Sequence, residues 1–287
     1  CFFDETEKKI FNLSFEVFQD EPEPVKMFVE DCMDWIADAP GEQGLSTGFD
    51  ELDELTYGLQ RSELTLIAGM PSMGKTAFCL DIAQYIVMQK KMPVLLASRE
   101  LNPEMLMMRM LSSQSGADLA QMQKGKLAES EWPKLTRAAE LLADAPLFFD
   151  TNYTGSPVDL RRKARLMHRK HLIRLVIVDS LQLQSGDTHL LQSLKWLAKE
   201  LRLPVVATVE LALPAEGNGN NRPTLRDLRR MGIYERDADN IIFLHREKHY
   251  NPAAGDEAEI TVVRQRMGPS GAVKLRFNDK LSRFENL

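Results

Sequence analysis

Eight consecutive residues, Gly69-Met-Pro-Ser-Met-Gly-Lys-Thr76, constrain this chain more than any other feature of it. They fit the pattern Gly-x-x-x-x-Gly-Lys-Ser/Thr, with an apolar run, Leu64–Ala68, before them and a helical pattern after them. Gly69 and Gly74 allow the tight path that points successive backbone N–H groups inward, and the helix N-terminus adds partial positive charge. Such a turn is built to cradle the phosphates of a nucleotide such as ATP. Lys75 is placed to reach the β and γ phosphates, and Thr76 to offer its hydroxyl to Mg2+, a hard cation that prefers oxygen. Pro71, Ser72, Met73 and Ala77 complete the expected cradle.

A magnesium nucleotide site also needs a carboxylate at the end of a buried strand. Leu175-Val-Ile-Val-Asp179 supplies one, so Asp179 is the second expected metal ligand. Hydrolysis further requires a group that orients or deprotonates water. Glu100, which follows Val94–Arg99, is the candidate, since a charge after a buried strand must face solvent or a site. Short apolar runs at Leu64–Ala68, Val94–Ser98, Leu147–Phe149, Leu175–Val178 and Val205–Val209 alternate with helical patterns, which predicts an α/β fold with a mainly parallel sheet buried on both faces. After Asn240 the strands Ile241–His245, Ile260–Arg264 and Val273–Phe277 lie close together. Gly268-Pro-Ser-Gly271 separates the last two, so an antiparallel edge or hairpin is expected.

Composition excludes several classes. The chain is 287 residues long, 44% hydrophobic and 27% charged, and lacks an apolar run long enough to span a bilayer. No signal peptide is visible after Cys1, and a longer parent protein is expected. Cys1, Cys32 and Cys79 lie far apart, which argues against a disulfide framework or a zinc site and points to a reducing cytoplasm. Net charge is −6, so any nucleic-acid contact must come from a local basic surface. Residues 222–236 offer one, with five arginines against Asp227 and Glu235; the alternatives there are a phosphate-gripping loop and a solvated or intersubunit face. A second basic run, from Arg161 to Arg174, reads as an exposed helix face or as a contact for the acidic end of a neighbouring chain. That acidic end, residues 1–40, carries Phe11, Phe15 and Phe18 at the spacing of one helix face. It packs either on its own domain or on a neighbouring subunit. His245 and His249 stand four apart but lack the arrangement of a zinc helix.

With these residues placed, the chain resembles the C-terminal motor of DnaB-like hexameric replicative helicases, a RecA-type ATPase fold. The similarity begins at Asp4-Glu-Thr-Glu-Lys-Lys-Ile-Phe11, which resembles the family's linker helix, and continues through Gly44-Leu-Ser-Thr-Gly-Phe-Asp50, Gly58-Leu-Gln60 and Pro71-Ser-Met-Gly-Lys-Thr76. Ser98-Arg-Glu-Leu101 resembles the strand end bearing the family's catalytic glutamate, and Val178-Asp-Ser-Leu-Gln-Leu183 its Walker B strand. The resemblance implies a linker region over 1–40 and a RecA-like P-loop motor over 41–287, with a mainly parallel central sheet and antiparallel C-terminal strands. It also implies that Lys75, Glu100, Asp179 and Arg266 act catalytically. Arg264-Gln-Arg266-Met-Gly-Pro269 is similar to the segment whose basic pair reaches the ATP of the adjacent subunit, with Arg266 at the arginine finger. Asp227-Leu-Arg229, Gly232 and Asp237-Ala-Asp239 resemble the channel loop that holds single-stranded DNA, which marks Arg229, Arg230 and Gly232 as DNA contacts. A homo-oligomer, hexameric in the family, follows, with a helicase loader and a primase as further partners.

The chain departs from the family in places. Glu210 replaces the glutamine that senses the γ-phosphate, and a carboxylate beside a phosphate is repulsive unless protonated or paired with a cation. The segment 184–192 is short, and Arg230 and Met231 stand where Glu and Ser are usual. These departures keep a second expectation beside the DNA-translocating motor, namely a helicase-derived ATP-binding assembly or loading protein with little unwinding. A RecA-like recombination or regulatory ATPase is the third.

Overall fold

A computed structural model describes residues 44–181, 188–212 and 221–287, together with 24–26, 29 and 33. The chain divides into two compact units, Cys1–Gln43 and Gly44–Leu287. In the first, Val25, Lys26, Val29 and Met33 are helical. The Phe11, Phe15, Phe18 stripe, the segment 182–187 and the loop 213–220 lie outside the described residues.

Among the described residues, the second unit is built on one sheet of nine strands in the order β3-β2-β4-β5-β1-β6-β7-β8-β9. The strands are β1 Leu64–Gly69, β2 Val94–Ser98, β3 Leu147–Asp150, β4 Leu175–Leu181, β5 Val205–Glu210, β6 Asn240–His245, β7 Glu257–Arg264, β8 Gly271–Asn278 and β9 Arg283–Asn286. From β3 to β6 all pairings are parallel; β6–β7, β7–β8 and β8–β9 are antiparallel. Eight strands thus fall where the apolar runs predict. The ninth carries a single large apolar residue, Phe284, between Arg283 and Glu285, too faint a signal for a strand of four residues. Strand β3 also differs from expectation, being half-buried throughout. It is the sheet edge, with a partner on one side only.

Strands β1, β2, β4 and β6 are buried along their whole length, as strands covered on both faces must be. Helices α2 (Lys75–Tyr85), α3 (Pro103–Ser115) and α5 (Trp132–Ala143) pack together, while α6 (Pro157–His171) and α7 (Thr188–Leu201) form a second group against β1, β2 and β5. Short helices α1 (Asp50–Thr56), α4 (Leu119–Gln123) and α8 (Leu225–Arg230) complete the fold. Local chemistry sets the ends. Asn102 accepts from the N–H of Met105 at 2.9 Å with Pro103 at the first helical position, and Gly116 in the left-handed region closes α3. Beneath the phosphate loop, Phe78 stacks on Phe49 at 4.9 Å and meets Phe284 edge-on at 5.3 Å. The last strand thereby anchors α2, and such ring pairs each add about 0.5–1.5 kcal/mol beyond their burial.

The basic run of α6 is an exposed helix face held within its own unit. Arg161 and Arg165 both pair with Glu200 of α7, Arg162 with Asp159, and Lys163 with Asp150 and Asp159. Its last turn, with His168, Arg169, Lys170 and His171, also complements the negative end of the helix dipole.

Candidate functional site

Parallel strands deliver their C-terminal ends to one pole of a sheet, and here β1, β2, β4 and β5 all end at the same place. Register fixes the alignment: Gly69 lies beside Glu210, and Ser98 beside Asp179. The loop from Gly69 to Thr76 runs from β1 into α2, whose first turn contains no acid to repel an anion. Two residues take positive φ, Ser72 at 62° and Gly74 at 95°. At Gly74 a Cβ would also press on the Phe284 and Phe277 rings, within 3.1 and 3.3 Å, so glycine is required twice over. Met73 and Ala77 turn their side chains into the core, and their contribution to the cradle is therefore made by backbone.

Lys75 is buried, and its ammonium donates to the carbonyls of Gly69 at 3.0 Å and Met70 at 2.9 Å and faces Glu210 at 3.4 Å. Burial pulls its pKa down, opposed by Glu210, Asp179 and Glu100. Asp179 is buried too and accepts two hydroxyls, from Thr76 at 2.8 Å and Thr208 at 2.7 Å. Burial raises its pKa, and the two hydrogen bonds oppose the rise. Glu100 lies exposed just beyond β2, and Ser180, buried next to Asp179, donates to it. The sequence-predicted Lys75, Thr76, Glu100, Asp179 and Glu210 are therefore brought together.

Arg264 and Arg266 are not with them. Arg264 ends β7 opposite Ile241, near the start of β6, and the N–H of Asp239 bonds the carbonyl of Leu64, the first residue of β1. Arg266 pairs with that Asp239 at 3.0 Å. The length of β1, six residues or roughly 17 Å, thus separates Arg266 from the start of the phosphate loop.

Arg222, Arg229 and Arg230 of the predicted basic patch are drawn into ion pairs. Arg229 pairs with Glu235, Arg230 with Asp227 at 3.3 Å, and Arg222 with Glu259 at 3.0 Å. Arg226 and Arg236 are exposed, and Gly232 turns the chain after α8 at φ 80°. His245 is buried, bonds Glu247 at 3.1 Å and stacks on Tyr250.

Three contributors escape a motif search. Thr208 is the one polar residue inside the apolar run of β5, a visible signal whose purpose, fixing Asp179, is visible only in the fold. Ser180 orients Glu100 from the adjacent strand. Arg246, just after β6, lies 3.6 Å over the Phe277 ring, donates to the Ser72 carbonyl at 3.4 Å and pairs with Asp279, bracing the phosphate loop from behind.

A parallel sheet whose first strand feeds this loop, beside a strand ending in a buried carboxylate, defines a P-loop nucleotide-binding domain of the RecA-type ATPase fold. Residues 44–286 match the DnaB-like helicase C terminal domain, and the chain belongs to that family. Over 99% of its length it is 38% identical to the replicative DNA helicase DnaB of Pasteurella multocida (strain Pm70) and 34% identical to that of Geobacillus stearothermophilus. It spans 66% of each of those proteins, just under two thirds. Among solved structures, the ATPase domain of G40P superposes with a TM-score of 0.86 at 29% identity, over 93% of this chain and 100% of that one. A DnaB-like replicative helicase described with its primase interactions gives 0.82 at 28%, over 99% and 72%. Among the described residues, no helix is long and apolar enough to cross a membrane.

Proposed function

We propose that the chain is the ATP-hydrolysing motor of a replicative DNA helicase, acting in the cytoplasm as a ring of like subunits, hexameric as in the family it belongs to. One observation carries this reading. Lys75, Thr76, Asp179 and Glu100 gather at one pole of the sheet while Arg266 stands at the other, so only a neighbouring chain's Arg266 can meet phosphates held by Lys75. A contact of that head-to-tail kind builds a ring when its rotation closes, as in the family's hexamers.

The residues present fit Mg-ATP. The loop presents its backbone N–H groups around Gly74, and Thr76 and Asp179 set two oxygen donors 2.8 Å apart, the chemistry a hard cation prefers. Bound Mg2+ would neutralise charge on the β and γ phosphates. Lys75 turns from the loop carbonyls to the phosphates, Glu100 orients and deprotonates water, and Arg266 of the next subunit faces the charge that builds on the transferring group. In the 222–236 segment, Arg229, Arg230 and the turn at Gly232 grip single-stranded DNA by its backbone. Both arginines are exposed, so solvent screens their pairing with the part-buried Glu235 and Asp227 and a phosphate can compete for them. A loader and a primase are the proposed further partners.

The test is ATP turnover by the full-length protein with and without single-stranded DNA, beside a strand-displacement assay. Turnover is expected to rise with DNA and duplex to separate, and DNA binding to weaken with salt at a slope near −0.7 per neutralised phosphate. Turnover indifferent to DNA, with no displaced strand, would select the assembly or loading reading instead.

Glu210 makes a further prediction of this site. Its half-exposed carboxylate holds Lys75 and faces the region a γ-phosphate must enter. Glu210→Gln is therefore expected to tighten a nonhydrolysable ATP analogue relative to ADP by about two- to fivefold, the scale of an exposed charge pair. Fluorescence titration of both nucleotides measures this; equal changes in the two affinities would count against it.

A further inference from the structure

The arginine that the proposed function sends to a neighbouring subunit is not a loose surface side chain. Its side chain is 53% exposed, but one end of the guanidinium is fixed: the NH1 group donates to Asp239 Oδ1 at 3.0 Å. Asp239 is itself buried and immobilised. Its Oδ2 accepts the N–H of Leu64 at 3.1 Å, and its Oδ1 also receives Lys195 Nζ of α7 at 2.9 Å. The next residue, Asn240, takes the backbone N–H of Arg266 on its side-chain oxygen at 3.3 Å, while its amide group donates to Glu63 at 2.9 Å and Thr65 at 3.3 Å. Gln265 ties the same turn to the Thr56 carbonyl at 3.0 Å. Two consecutive residues at the start of β6 thus hold Arg266 by backbone and by side chain.

The charges make the arrangement more than a tether. A lone Asp–Arg pair would cancel the positive charge that stabilises a phosphoryl transition state. Here two cations share one carboxylate oxygen, so Asp239 alone does not cancel both, and the Arg266 side chain stays about half exposed. On the inner side Glu63 accepts from Asn240, and burial raises its pKa.

We propose that Asp239 and Lys195 are positioning residues for Arg266, the carboxylate fixing the guanidinium for the neighbouring subunit's phosphates and the ammonium preserving its positive charge. This rests on the trans-acting role of Arg266 argued above. It is tested by steady-state ATP hydrolysis of the full-length assembled protein, with affinity for a fluorescent ADP analogue measured in parallel. Asp239→Asn is expected to lower kcat ~10–100-fold, as a misplaced catalytic group does, and Lys195→Met about three- to tenfold, each with KM and nucleotide affinity changed less than about threefold. Lys195→Arg, which keeps the charge, is expected to stay within about twofold of the parent. In an Arg266→Ala background, read by long single-turnover assays, both losses are expected to vanish, because the group being positioned is gone.

Lys195 is partly exposed, so Lys195→Met remains informative if Asp239→Asn disturbs folding. Unchanged kcat in both variants, with Arg266→Ala strongly impaired, would overturn the positioning role and leave the trans reading standing. Equal fractional losses with and without Arg266 would mark a purely structural network and overturn it as well. Full turnover in Arg266→Ala would sink the trans reading itself, and this inference with it.

Discussion

The full-length protein carrying Arg266→Ala is expected to bind ATP as the parent does but to hydrolyse it ~10³–10⁵-fold more slowly. Lys75→Ala is expected to lose nucleotide and turnover together. Mixed before assembly, the two defective proteins are expected to recover activity. The reason is the polarity of the sheet: Lys75 begins the helix after the C-terminal end of β1, whereas Arg266 is bonded through Asp239 to the first residue of that strand. In the proposed ring each composite site would take its phosphate loop from one chain and its arginine from the next. An Arg266→Ala subunit supplies an intact Lys75, a Lys75→Ala subunit supplies an intact Arg266, and about a quarter of the head-to-tail interfaces in an equal random mixture combine both. A mixture no more active than its separate components would refute a shared site, and an arginine acting within its own chain would leave that outcome as the only one available.

How much of this was legible beforehand follows from the kind of interaction each feature uses. The phosphate loop, Asp179, Glu100 and eight strands could be read because each is local: a spacing, a run of apolar residues, a charge at the end of a run. The ninth strand could not, because its stability comes from pairing with β8 and from the contact of Phe284 with Phe277 and Phe78, partners distant in sequence. The arginines of 222–236 were countable, and the Arg230–Asp227 pair is local, but the pairing of Arg229 with Glu235 needed the turn at Gly232 and that of Arg222 with Glu259 the placement of β7. Asp239 was visible as part of a motif resembling a DNA loop. Its hold on Arg266, with Lys195 arriving from α7, joins three segments that only the folded sheet brings together. Glu210 was legible as a departure, and the structure adds that it meets Lys75, a pairing that the residue spacing could not supply.

The two carboxylates at the loop pole invite a division of labour, and Glu100→Gln tests it. Asp179 is enclosed and held by a hydroxyl on each oxygen, so it is fixed to offer a lone pair to a metal ion rather than free to take a proton from water and turn away. Glu100 is exposed and held by the Ser180 hydroxyl, which leaves its other oxygen able to meet a solvent molecule. The glutamine variant keeps the shape and can still accept the Ser180 hydrogen bond, but it has no base. It is expected to bind ATP with near-parental affinity and to turn it over ~10²–10⁴-fold more slowly, the usual worth of a positioned acid or base. Asp179→Asn should behave differently. Removing the buried charge from the Thr76 hydroxyl is expected to weaken ATP binding in the presence of Mg2+ more than in its absence. Nucleotide titrations with and without Mg2+, beside single-turnover hydrolysis, separate the two patterns. A Glu100→Gln protein that hydrolyses ATP within a few-fold of the parent would assign the base to another group, and Glu210, which faces the same phosphate pole from β5, would be the residue to replace next.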